Sequence, residues 1–169
     1  MRHSSLRVVL AVLAVAGCSS GSTDTGDGGG TQHSCVVHFT GGPIGDPAVD
    51  CAPIVTVSST SNNSGVGISA GAYSFQFTME DAAHISTGDF NNLQPGVTAS
   101  LFIVNGTDNY YMNTGNGSQI GSFTLHITSL TSAGGDAYYP NGSLDATVPA
   151  DTSSGASGTI TVHAVFSGY

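Results

Sequence analysis

VTASLFIVNGTDNYYMNTGNGSQIGSFTLHIT, from Val97 to Thr128, decides how this chain folds. Two Asn-Gly pairs punctuate it, Asn105-Gly106 and Asn116-Gly117. Asn-Gly between apolar runs is the strongest short-range signal for a two-residue β-hairpin loop. Looping at Asn105-Gly106 sets Leu101 opposite Tyr110 and Ala99 opposite Met112. Looping at Asn116-Gly117 sets Tyr110 opposite Phe123 and Met112 opposite Gly121. The apolar residues then share one face in both hairpins, whereas a one-residue slip would put them on opposite faces. The stretch predicts a three-stranded meander over Val97–Val104, Thr107–Asn113 and Ser118–Thr128.

The same period of two extends outward. Ala72–Met79 places Tyr73, Phe75, Phe77 and Met79 on one face, and Ser74, Gln76 and Thr78 on the other. Cys35–Thr40 and Ile54–Ser59 read as strands. Ser143–Val148 follows a Pro140-Asn141-Gly142 turn signal, and Thr159–Phe166 closes the chain with Ile160, Val162, Ala164 and Phe166 inward. Glu80–Ile85 has room for one helical turn. About eight or nine short strands between turn signals predict an all-β fold, an antiparallel two-sheet β-sandwich. A closed lipocalin-like β-barrel is the alternative.

The first residues carry a different signal. Arg2 and Arg7 precede an apolar run, Val8 to Ala16. A positive start, a short apolar run and small residues at its exit describe a secretory signal. A run of about nine residues is too short for a membrane-spanning helix, which needs roughly 20. The exit, Val15-Ala16-Gly17-Cys18, resembles the lipobox of bacterial lipoproteins. That resemblance implies cleavage before Cys18 and lipidation there, which anchors the chain to a membrane; two or more acyl chains hold stably where one does not. Ser19, rather than Asp, implies export to an outer membrane of the bacterial cell envelope. Ser19 to Ser34 is Gly, Ser, Thr and Asp apart from Gln32 and His33, with almost nothing to bury. As a flexible tether of about 15 residues it spans roughly 20 Å. The organisation expected is a signal peptide at 1–17, a lipidated Cys and tether at 18–34, and one domain at 35–169. The C-terminal runs Gly142–Val148 and Thr159–Phe166 are also similar to the ends of small uncharacterised bacterial lipoproteins, a resemblance that implies no activity.

If Cys18 is lipidated, Cys35 and Cys51 are the two cysteines left, and export takes them to an oxidising compartment. A Cys35–Cys51 disulfide is the expectation, worth about 3 kcal/mol for so short a loop. Charge narrows the partners. Arg2 and Arg7 are the only Lys or Arg, so losing them takes the net charge from −9 to −9 − 2 = −11. A chain without Lys or Arg does not bind nucleic acid, whose phosphates need cations.

Catalytic signals are thin. Gly67-Ile68-Ser69-Ala70-Gly71 matches the G-x-S-x-G nucleophile elbow, but that motif needs a helix after it, and a strand follows here. The chain is therefore read as a non-enzyme, a structural or interaction module with an envelope protein or a glycan as partner. The alternative is a carbohydrate- or calcium-binding module. Calcium takes Asp and carbonyl oxygens in loops, which singles out Asp46, Asp50 and Asp108. Tyr111, Tyr138 and Tyr139 are the candidate ligand-contact residues. His38, His126 and His163 fall on the polar faces of their strands; a His₃ metal site would require those strands to be neighbours.

Overall fold

Alternation builds nearly every element of this molecule. The computed structural model describes residues 33–45, 47–58, 63–71, 73–79, 86–114 and 121–169. All of them lie in the second of the chain's two units, Met1–Gly30 and Thr31–Tyr169. The lipobox, Asp46, Asn116-Gly117 and Glu80–Ile85 fall outside the described residues.

Eleven strands are described: β1 (Ser34–Thr40), β2 (Ala48–Asp50), β3 (Ala52–Ser58), β4 (Asn63–Ala70), β5 (Tyr73–Met79), β6 (Gly88–Asn91), β7 (Val97–Asn105), β8 (Asp108–Asn113), β9 (Ser122–Gly134), β10 (Ala137–Pro149) and β11 (Thr159–Ser167). Every pairing between them is antiparallel. They join in one sheet of order β2-β1-β11-β10-β3-β4-β5-β7-β8, with β9 and β6 attached beside β10. The sheet is not closed, so the barrel alternative is corrected. No helix among the described residues is long and apolar enough to cross a membrane.

The sheet forks at β10. Its C-terminal half pairs with β11 from Gly142 to Pro149, while Ala137 and Tyr138 at its start pair with Thr56 and Val55 of β3. One arm therefore runs β6-β9-β10-β11-β1-β2, and the other runs β3-β4-β5-β7-β8. Side chains from both arms meet in one core. Phe77 of β5 lies 5.1 Å from Phe123 of β9, and Phe39 of β1 lies 4.6 Å from Tyr73 of β5, ring centre to ring centre. Tyr110 is fully buried, and its hydroxyl donates to the Ser157 carbonyl at 3.3 Å.

Three sequence expectations change. First, the β7–β8 hairpin forms with Leu101 opposite Met112 and Ile103 opposite Tyr110. The loop is Gly106-Thr107 rather than Asn105-Gly106. Gly106 takes φ 63° at the first central position, where a positive φ suits Gly. A shift of two residues leaves every side chain on its face. Second, β8 does not pair with the next strand, so the three-stranded meander is corrected to one hairpin. β9 pairs with β10 instead, from Ser122–Thr147 to Gly134–Ala137. Alternation specified the face of Phe123, Leu125 and Ile127, not the neighbour.

Third, Pro140-Asn141-Gly142 is not a turn. β10 runs straight through it, opposite a β-bulge in which β9 advances from Ser129 to Ile127 while β10 advances from Asn141 to Gly142. Thr128, the extra residue, donates its hydroxyl to the Asn141 carbonyl at 3.1 Å. The bulge switches which parity points inward, from Ile127 to Leu130, and that break made the strand look finished at Thr128. A Cβ on Gly142 would lie 1.9 Å from the His126 carbonyl oxygen, so only Gly permits this approach.

Candidate functional site

Outward-facing positions carry the chemistry here, because the buried inward ones are apolar except for Ser64. On the arm that contains β11, the pairing sets Asp145 of β10 opposite His163 of β11, and His163 opposite His38 of β1. One step along, Asp89 of β6 lies opposite His126 of β9. Both His–Asp pairs are bonded. His163 Nδ1 is 2.7 Å from Asp145 Oδ1, and His126 Nδ1 bonds Asp89 Oδ1. A carboxylate only accepts, so Nδ1 carries the proton in each pair and Nε2 is the unprotonated nitrogen of the neutral ring. His163 and Asp145 side chains are 50% and 64% exposed, so each pair is a positioning contact and not a source of much stability.

Strand order answers the His₃ question. His38 and His163 sit on adjacent strands. His126 lies two strands from His163, with β10 between them, roughly 10 Å away in the pairing direction. No three His, Cys, Asp or Glu among the described residues are placed together as metal ligands.

Beside Asp145 lies an open depression of about 370 Å³, lined by Asn91, Leu93, Thr124, Asp145, Thr147 and Thr161 among others. Its rim is braced. Asn91 Oδ1 accepts from the Leu93 amide at 2.9 Å, and Gln94 Oε1 accepts from the Asn91 amide at 2.9 Å. Leu93 stands 87% exposed at the edge.

A second concavity, about 500 Å³, opens beside the disulfide and is lined by His33, Ser34, Cys35, Asp50, Cys51 and Tyr169. Cys35 and Cys51 are bonded, with Cα atoms 4.9 Å apart, as expected. The rings of His33, Tyr169 and Tyr139 form a continuous stack, at 4.7 Å and 5.3 Å between successive centres. Asn141 fixes its middle member. The Tyr169 amide donates to Asn141 Oδ1 at 3.0 Å, and Asn141 Nδ2 donates to the Tyr169 carbonyl at 3.0 Å. Burial, helped by nearby Tyr139, raises the Tyr169 phenol above its ordinary value.

The three tyrosines singled out from sequence do not form one platform. Tyr138 and Tyr139 are consecutive in β10 and point to opposite faces. Tyr138 packs against the core, and Tyr139 is exposed in the stack. Tyr111 lies on β8 in the other arm, edge-on to Phe102 at 6.1 Å. His33 and Tyr169 are stack members that sequence reasoning missed; both flank the strands, outside any alternating run. The Asp residues are also dispersed. Asp50 is in β2 and Asp108 in β8, at opposite ends of the strand path. Ser69 sits inside β4, paired with Ala52 and Ser74, so the G-x-S-x-G match lies in a strand and not at a strand-to-helix turn. No protein-family model, curated protein or solved structure matches the chain.

Proposed function

We propose that this is a lipid-anchored protein of the bacterial cell envelope that works by binding and not by catalysis. Its parts are a signal peptide at 1–17, a lipidated Cys18 with a tether that ends before His33, and a two-sheet β-sandwich from His33 onward. The tether expected to reach Ser34 is shortened because Ser34 pairs with Ser167 in β1 and His33 stacks on Tyr169. The observation that carries this reading is the disulfide. The chain has three cysteines, and Cys35 and Cys51 are bonded to each other. That leaves Cys18 as the one cysteine outside the bridge, at the end of the apolar run where the lipobox resemblance puts the acceptor thiol. A disulfide also fits an exported domain. The fork at β10 supports the sandwich, since its two arms share core contacts such as Phe77 with Phe123.

The tether holds the domain near an outer membrane, where the partner is an envelope protein or a glycan. The stack of His33, Tyr169 and Tyr139, with His33 and Tyr139 exposed at its two ends, favours the glycan, because sugar rings dock on aromatic faces. The test is detergent phase partition of the full chain expressed in a bacterium. The native protein enters the detergent phase, and Cys18→Ser moves it to the aqueous phase. Equal partition of the two proteins contradicts the anchor.

A further inference from the structure

The row Asp145–His163–His38 crosses three adjacent strands on one exposed face. Directly opposite residues in an antiparallel pair have Cβ atoms about 4.5–5.5 Å apart, close enough for two imidazoles to reach one ion. His163 is already oriented for this. Its Nδ1 proton goes to Asp145 at 2.7 Å, which fixes the tautomer and leaves the Nε2 lone pair directed away from the carboxylate. A carboxylate behind a histidine is the arrangement that raises ligand basicity in metal sites. His38 is exposed on the neighbouring strand, with no Lys or Arg after Arg7 to repel a cation.

We infer that His38 and His163 form a two-imidazole chelate for a divalent first-row transition metal, with Asp145 as the positioning residue behind His163. Water completes the coordination, as suits an open sheet face. Imidazole nitrogen favours Cu²⁺ most among these ions, so Cu²⁺ is the ion of choice. His126 has its own carboxylate, Asp89, but no imidazole on an adjacent strand. It serves as the internal control.

The test is a Cu²⁺ titration of the full chain, followed by electron paramagnetic resonance. A His3→Ala background is used, so that an unprocessed Met-Arg-His start adds no imidazole. One Cu²⁺ bound through two imidazole nitrogens is the expected result. His38→Gln and His163→Gln each lower affinity at least tenfold, Asp145→Asn lowers it roughly tenfold, and His126→Gln leaves it unchanged. These are exposed polar replacements, and the nitrogen count in the unsubstituted site does not depend on them. A single nitrogen, or affinity unmoved by His38→Gln and His163→Gln, overturns the inference. So does a loss with His126→Gln as large as theirs.

Discussion

Along β11 the outward residues are Thr159, Thr161, His163, Val165 and Ser167; along β4 they include Gly65, Gly67 and Ser69. Inward, the two strands are nearly alike: Ile160, Val162, Ala164 and Phe166 in one, Val66, Ile68 and Ala70 beside Ser64 in the other, all buried. The inner faces are constrained by the same apolar core, while the outer faces are free to differ. One arm carries both His–Asp pairs and the His38–His163 neighbours. The other presents small residues around a shallow groove between Ile54 and Gln76, with Phe102 and Tyr111 farther along. Among the described residues, the His–Asp pairs and the neighbouring histidines are therefore concentrated on one arm.

That comparison assumes the arms share one core, and the Phe77–Phe123 contact is where it breaks most visibly. Each single change to Ala is expected to cost about 3–5 kcal/mol in denaturant unfolding. The double change costs less than the sum by about 0.5–1.5 kcal/mol, the coupling of an aromatic pair. Strict additivity would mean that the rings, and the arms, do not support each other.

Glycine sharpens the contrast between the two arms. Gly142→Ala places a methyl against the His126 carbonyl at the bulge and is expected to cost about 1–3 kcal/mol. Gly65→Ala meets only ordinary contacts, at 3.6 Å and 3.7 Å, and is expected to gain about 0.4–1 kcal/mol. Thermal melts of the two variants decide this. Equal losses at both sites would show that the β4 glycines are as constrained as the bulge.

The smallest effect lies at the connection between β10 and β11, where Asp151 caps the short turn Thr152–Ser154. Hydrogen bonds from the Ser153 hydroxyl, and then from its amide, hold the Asp151 carboxyl below its ordinary 3.8. A lowered folded-state value stabilises above pH 3.8 and loses that contribution as acid protonates the carboxylate. Melting temperature followed from about pH 6 down to pH 2 should fall less steeply in Asp151→Asn than in the native chain. Parallel curves would remove Asp151 from the acid response.

How much of this was legible depends on what each residue had to do. Phe75, Phe77, Leu101, Ile160 and Phe166 announced their inward faces because alternation is a direct consequence of the pleat. β4 stayed hidden because its outward positions are Gly65, Gly67 and Ser69, which read as turn residues and as a chance nucleophile motif. β2 and β6, at three and four residues, are too short to alternate. The partner of β9 was not legible because a face does not name a neighbour. The same gap hid the His38–His163 pair: each histidine was visible as outward-facing, but their adjacency follows from pairing two strands more than a hundred residues apart in the chain.

The central claim, an exported domain with one disulfide and a lipidated Cys18, is tested most directly by the intact mass of the full-length gene product before and after reduction. The account predicts a chain beginning at Cys18 with acyl chains attached, and a gain of two hydrogens on reduction. A chain that keeps Met1–Gly17, carries no acyl mass and gains nothing on reduction would contradict it.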